Sequence, residues 1–110
     1  MQIIIVGCGK VGSTIAEQLS VEGHDITIVD TDESVVQALA TRLDIMGVTG
    51  NGATHSILME AGVEEADLLI AVTESDELNL LCCMVGKKAG ADHTIARVRN
   101  PEYSQDIGFM

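Results

Sequence analysis

A doubly wound α/β fold, with helices on both faces of a parallel sheet, is what this sequence predicts. Three observations carry that expectation. Five short β-branched or apolar runs alternate with stretches of helical spacing, with little spare linker between them. A G-x-G-x-x-G motif joins the first run to the first helical stretch. The 110 residues, 46% of them apolar, suit one domain with a small core of its own.

The first run, Ile3–Val6, lacks polar alternation, the pattern of a strand buried on both faces. Val11, Ile15 and Leu19 then recur every four residues and predict the first helix, which Gly23 ends in the left-handed conformation. Ile26–Val29 is the second strand. Asp32 stands where it caps the next helix, whose stripe is Val36, Leu39, Ala40 and Leu43. Ile45–Val48 follows as a strand, with Thr54 as the N-cap of a helix ended by Gly62. After Leu68–Val72, the longest stripe runs through Leu78, Leu81, Cys82, Val85 and Ala89 to Gly90. Thr94–Val98 is the fifth strand, and Pro101, the only proline, opens a last helical segment. Right-handed crossovers would thread this order into one sheet. A six-stranded dinucleotide fold takes one more strand after Phe109 and Met110, so the domain reads as truncated before it.

Composition excludes several functions. Six Lys and Arg against 17 Asp and Glu give a formal charge of −11, the wrong sign for a phosphate-backbone binder, so no nucleic-acid partner is expected. Only Tyr103 and Phe109 are aromatic, which leaves no stacking platform for single strands. Leu78–Gly86, the longest nearly apolar stretch, is interrupted by Asn79 and falls far short of the roughly 20 residues of a spanning helix, so no membrane insertion is expected. Met1-Gln2 leads straight into the first strand without signal-peptide features. Three cysteines, Cys82 and Cys83 adjacent, make a poor disulfide framework and point to a reducing cytoplasm.

The chemistry gathers at strand ends. In Gly7-Cys8-Gly9-Lys10-Val11-Gly12, Gly7 allows the tight turn, Gly9 lets the backbone approach a pyrophosphate, and Gly12 lets helix and strand pack closely. The N–H groups and dipole of the following helix hold negative charge. Asp30 closes the second strand 18 residues after Gly12, near the place of a ribose-binding acid, and a carboxylate there favours NAD or adenosine phosphates over NADP. Thr31 beside it joins the candidate binding set or helps to start the next helix. Gly50, Asn51 and Gly52 follow the third strand, Thr73 the fourth, and Arg97 lies near the end of the fifth. Open parallel sheets bind ligands at that edge, although Asn51 also suits a turn, Thr73 a cap and Arg97 a charge partner. Cys8 reads as a small residue that fits rather than as a reactive thiolate. His24, His55 and His93 fall in separate connections, and no catalytic triad, acid–base pair or metal-ligand spacing is present. Glu60 to Glu77 holds seven acids, and Lys87, Lys88, Arg97 and Arg99 follow as a basic cluster, a solvated face or a surface for a partner.

Met1–Gly12, Asp25–Asp30, Gly50–Thr54, Ala71–Asn79 and Ile95–Tyr103 resemble the N-terminal nucleotide-binding domain of Trk-type potassium-uptake regulatory subunits, over nearly the whole chain. The resemblance implies a Rossmann-like domain over residues 1–110, the N-terminal part of a longer, non-enzymatic gating subunit. Such subunits are cytoplasmic, lie against the inner face of the plasma membrane, form dimers and rings, and act on a membrane potassium transporter. They bind NAD(H), or ATP/ADP, and the ligand biases the ring between shapes. The resemblance places phosphates on the glycines, the adenosine ribose on Asp30, the cleft walls at Asn51 and Thr73, and Arg97 near the phosphates. Some ATP-sensing relatives carry Arg where this chain has Lys10, which keeps the charge without the bidentate fork. Two rival readings are the cofactor half of an NAD-dependent dehydrogenase and an interaction module with an empty cleft.

Overall fold

The computed structural model describes residues 1–106. Its five strands are β1 (Gln2–Val6), β2 (Asp25–Asp30), β3 (Met46–Thr49), β4 (Leu68–Ala71) and β5 (His93–Ala96), all parallel, in the order β3-β2-β1-β4-β5. The helices are α1 (Lys10–Val21), α2 (Glu33–Leu43), α3 (His55–Glu60), α4 (Asp76–Ala89) and α5 (Pro101–Asp106), with a 3-10 turn over Val63–Glu65. The fold is Rossmann-like. Strand order reverses between β1 and β4, where Val6 lies in register with Ala71.

Because successive side chains of a strand face opposite ways, each central strand feeds two cores. Ile3 and Ile5 pack with Ile26, Ile28, Val36 and Leu39, while Ile4 and Val6 pack with Val29, Leu58, Leu69 and Cys82. Full burial of side chains this size stabilises by about 1.5–3 kcal/mol each, and Ile3, Ile5, Ile28 and Leu69 are essentially without solvent contact. Two-faced burial holds for these central strands only. β3 and β5 are the edges, and Met46 and Ile95 are more than half exposed there.

The helical stripes are offset from the expected ones. Val11 and Leu81 are exposed, and the buried lines are Gly12 and Ala16 on α1, and Asn79, Cys82, Cys83 and Gly86 on α4. Small residues set this close seating. A Cβ on Gly86 would stand 2.2 Å from Leu69 Cδ2. Asp32 caps α2 as its sequence position predicts, accepting from the N–H groups of Ser34 and Val35. Thr54 corrects its expected role: it occupies the N-cap of α3 but gives no side-chain cap, because its hydroxyl donates to the Asn51 carbonyl at 2.7 Å. Gly23, Gly62 and Gly90 lie at positive φ at their turns, as expected, and Asp44 does the same after α2 without being glycine. The expected sixth strand lies outside the described residues. Among these, no helix is long and apolar enough to cross a membrane.

Candidate functional site

The three motif glycines have three different structural reasons. Gly7 has φ +104°, donates its N–H to the Val29 carbonyl at 2.8 Å, and lies so close to β4 that a Cβ would stand 2.9 Å from the Thr73 nitrogen. A Cβ on Gly12 would stand 1.7 Å from the Gly7 carbonyl oxygen, so α1 can seat on the β1 turn only through glycine. Gly9 caps α1 at φ −73°, and a Cβ there would meet no protein atom within 4 Å. Neither packing nor backbone strain calls for glycine at that position.

Asp30 is fixed by the backbone around it. One carboxylate oxygen accepts from the Cys8 N–H at 2.8 Å and the other from the Asp32 N–H at 3.0 Å. The side-chain cap of α2 is Asp32, and Asp30 supports it by accepting from the N–H of that cap residue. Each carboxylate oxygen has more than one acceptor site, so both keep capacity for a further donor. The Cys8 thiol is buried, and burial, then the Asp30 charge, push it up to about 12. It is a protonated packing residue, as expected.

Gly7, Asp30, Thr31, Asn51, Gly52 and Thr73 line one cleft of about 130 Å³ at the carboxyl ends of β1 to β4. Gly9, Lys10 and Val11 are exposed at the start of α1, while Cys8 and Gly12 are buried beneath it. Asn51 also serves its turn, its side-chain oxygen accepting from the Ala53 N–H at 2.9 Å. Thr73 is not the cap of α4; Ser75 is, its hydroxyl accepting from the Leu78 N–H. Arg97 does not line the cleft. Its Nη2 donates to the Thr73 carbonyl at 2.6 Å, its Nε is buried without a partner among the described residues, and Glu74 stands 3.8 Å away. Glu74 is highly exposed, so that ion pair contributes little.

Leu78 and Asn79, without an expected site role, belong here, together with Gly50 of the expected Gly50–Gly52 turn. Gly50 and Leu78 line the cleft, and Asn79, fully buried, bonds both to Thr73 and to the Arg97 carbonyl. An Asn inside an apolar stretch was the available signal for the last. A larger concavity of about 380 Å³ lies at the opposite edge, lined by Gln2, His24, Asp25 and Asp44. That is the amino end of the strands, away from the α1 N-terminus, and parallel sheets place ligands at the other end. His24, His55 and His93 do not converge: they lie beside the amino terminus, at the start of α3 and at the start of β5. Among the described residues no group of three or more His, Cys, Asp or Glu could hold a metal ion.

Residues 3–108 match the TrkA-N domain. The chain belongs to the TrkA-N domain family. It is similar to the Trk system potassium uptake protein TrkA of Halomonas elongata, 50% identical over 111 residues, covering 100% of this chain and 24% of that protein. A TrkA-N domain of this length thus spans about a quarter of that relative. Among solved structures, the NAD(P)-binding domain of an exopolyphosphatase-related protein from Archaeoglobus fulgidus superposes with a TM-score of 0.83 at 18% identity, covering 97% of this chain and 80% of that one. The Kef CTD of Shewanella denitrificans in its AMP-bound form gives 0.82 at 23% identity, covering 99% and 67%. Both likenesses are of fold.

Proposed function

We propose that this domain is the nucleotide-sensing part of a potassium-uptake regulator, binding NAD(H) foremost, or ATP/ADP, and regulating rather than catalysing. The observation that carries the reading is the convergence of four strand ends on one cleft, with Asp30 already oriented and Gly9 open beside it. Kinship with potassium-uptake proteins supplies the transport context, and the nucleotides named for the two fold neighbours suggest the ligand class.

Each oxygen of Asp30 holds one backbone N–H and accepts one ribose hydroxyl. A 2′-phosphate would bring like charge against it, which disfavours NADP. The ligand's phosphates lie along Gly7–Gly12, where the α1 N-terminus carries about +0.5 charge and Lys10 adds a full one. Thr31, Asn51, Gly52 and Thr73 wall the adenosine. The guanidinium of Arg97 stands behind that wall on the Thr73 carbonyl and adds positive charge near the phosphates. The domain works in the cytoplasm as a dimer or ring against a membrane potassium transporter, within a longer protein. A nucleotide moves that assembly by binding one geometry more tightly than another, since equal affinity for both shifts nothing.

Calorimetric titration of wild type and Asp30→Ala with NAD, NADH, ATP and ADP tests the assignment. The variant should bind at least about tenfold more weakly, the loss of one charge-assisted contact. It should also lose about 1–3 kcal/mol of stability, because the Cys8 N–H is left without its acceptor. Unchanged affinity in folded variant refutes the role of Asp30.

A further inference from the structure

Asn79 is the one buried polar residue among the described core, and every hydrogen-bonding capacity of its amide is used. Its Oδ1 accepts from the Thr73 N–H at 2.8 Å and the Thr73 hydroxyl at 2.7 Å. Its Nδ2 donates to the Thr73 carbonyl at 3.1 Å and the Arg97 carbonyl at 2.9 Å. The Arg97 guanidinium returns to that same Thr73 carbonyl, closing a ring of three residues. Beyond Arg97, the chain is clipped to the same turn. Asp76 accepts from the N–H groups of Arg99 at 3.0 Å and Asn100 at 2.8 Å, Arg99 donates to the Glu74 carbonyl, and the Tyr103 hydroxyl donates to Glu77 at 2.7 Å. One turn, residues 73–79, therefore forms a wall of the cleft on one side and the grip on residues 97–103 on the other.

We infer that Asn79 is a positioning residue that couples the cleft wall at Thr73 to the segment from Arg97 to Tyr103, so that a nucleotide in the cleft tightens the hold on that segment. The inference rests on the nucleotide reading above. Occupancy restrains Thr73, and through the Asn79 amide the same restraint reaches the Arg97 carbonyl and the clip at Asp76. A plain structural staple would hold the segment equally with the cleft empty or filled.

Amide hydrogen exchange of the whole chain with saturating NADH or ATP separates the two, with calorimetry on the same samples. In wild type, nucleotide should slow exchange at Thr73, Arg99 and Asn100 about tenfold, the usual scale of a modest coupling. Asp76→Ala removes both acceptors of the clip at a half-buried site outside the cleft. It should keep affinity within about twofold while exchange at Arg99 and Asn100 stops responding. Asn79→Ala should lose the response and also bind more weakly; if it fails to fold, Asp76→Ala decides alone. Binding without any change at Arg99 and Asn100, or a response that survives in Asp76→Ala, overturns the coupling and leaves the nucleotide reading intact. Absence of binding by wild type overturns the nucleotide reading and the coupling with it.

Discussion

At the residue scale, Gly9 and Gly12 share a motif and differ in what they answer to. Gly12→Ala drives a methyl group to within 1.7 Å of the Gly7 carbonyl oxygen, a backbone atom that cannot rotate away. α1 must lift from β1, and about 3 kcal/mol or more of stability should be lost, the upper end of overpacking costs. Gly9→Ala meets no neighbour and no unfavourable φ. Its cost should stay below about 1 kcal/mol, that of a poorer helix cap. Urea unfolding measures both, and titration with NADH supplies the contrast: Gly9→Ala should be folded and bind weakly, because its methyl group occupies the space a pyrophosphate needs. A Gly9→Ala protein with wild-type affinity would show that no ligand approaches there.

At the scale of elements, the join between α4 and α5 carries a pH dependence. The N–H groups of Arg99 and Asn100, and to a smaller degree the charges of Arg99 and Arg97, hold the Asp76 carboxyl below the usual carboxylate range. Between that lowered value and the ordinary one the unfolded chain binds the proton and the folded chain does not, so stability rises with pH there. The contribution is complete above the ordinary carboxylate range and lost as pH falls through the lowered native value. In an NMR titration the Arg99 and Asn100 amide protons should move together, with a midpoint below 3.8, and stay flat in Asp76→Ala. A midpoint at or above 3.8 would contradict the clip. None of this join was legible in the sequence, because the partners of Asp76 and Asn79 lie at Arg97, Arg99 and Asn100, beyond the reach of local spacing. Local requirements were legible: the glycine turn, the strand-closing Asp30, the cap at Asp32 and the Pro101 helix start. Edge strands could be recognised as strands from their β-branched content, but their exposure depends on sheet order, which no single run encodes. Val11 and Leu81 were expected inside because they are large and periodic. Gly12 and Gly86 hold the helices so close to the sheet that those larger neighbours are left outside.

For the whole molecule, the difficulty is that a strongly acidic protein, −11 in net charge, is assigned an anionic ligand. Its extents are 40 × 26 × 25 Å. At about 0.01 M salt the Debye length is roughly 30 Å, so an approaching phosphate senses almost all of that charge, whereas at about 0.15 M it is roughly 8 Å and only nearby groups count. Those nearest the glycine turn are the α1 N-terminus and Lys10, both attractive, and the Asp30 carboxylate, whose charge is shared with the N–H groups of Cys8 and Asp32. Screening should therefore help binding here, the reverse of its effect on a basic nucleotide-binding protein. Stopped-flow association of NADH should quicken about threefold or more between those salt concentrations, a small fraction of known steering effects. Uncharged adenosine should associate at a rate that salt leaves unchanged, and KCl and NaCl should act alike if the effect is screening rather than ion binding. An NADH rate that falls as salt rises would mean that the local field at α1 governs the approach at every distance, and that the acidic face lies too far from the cleft to oppose it.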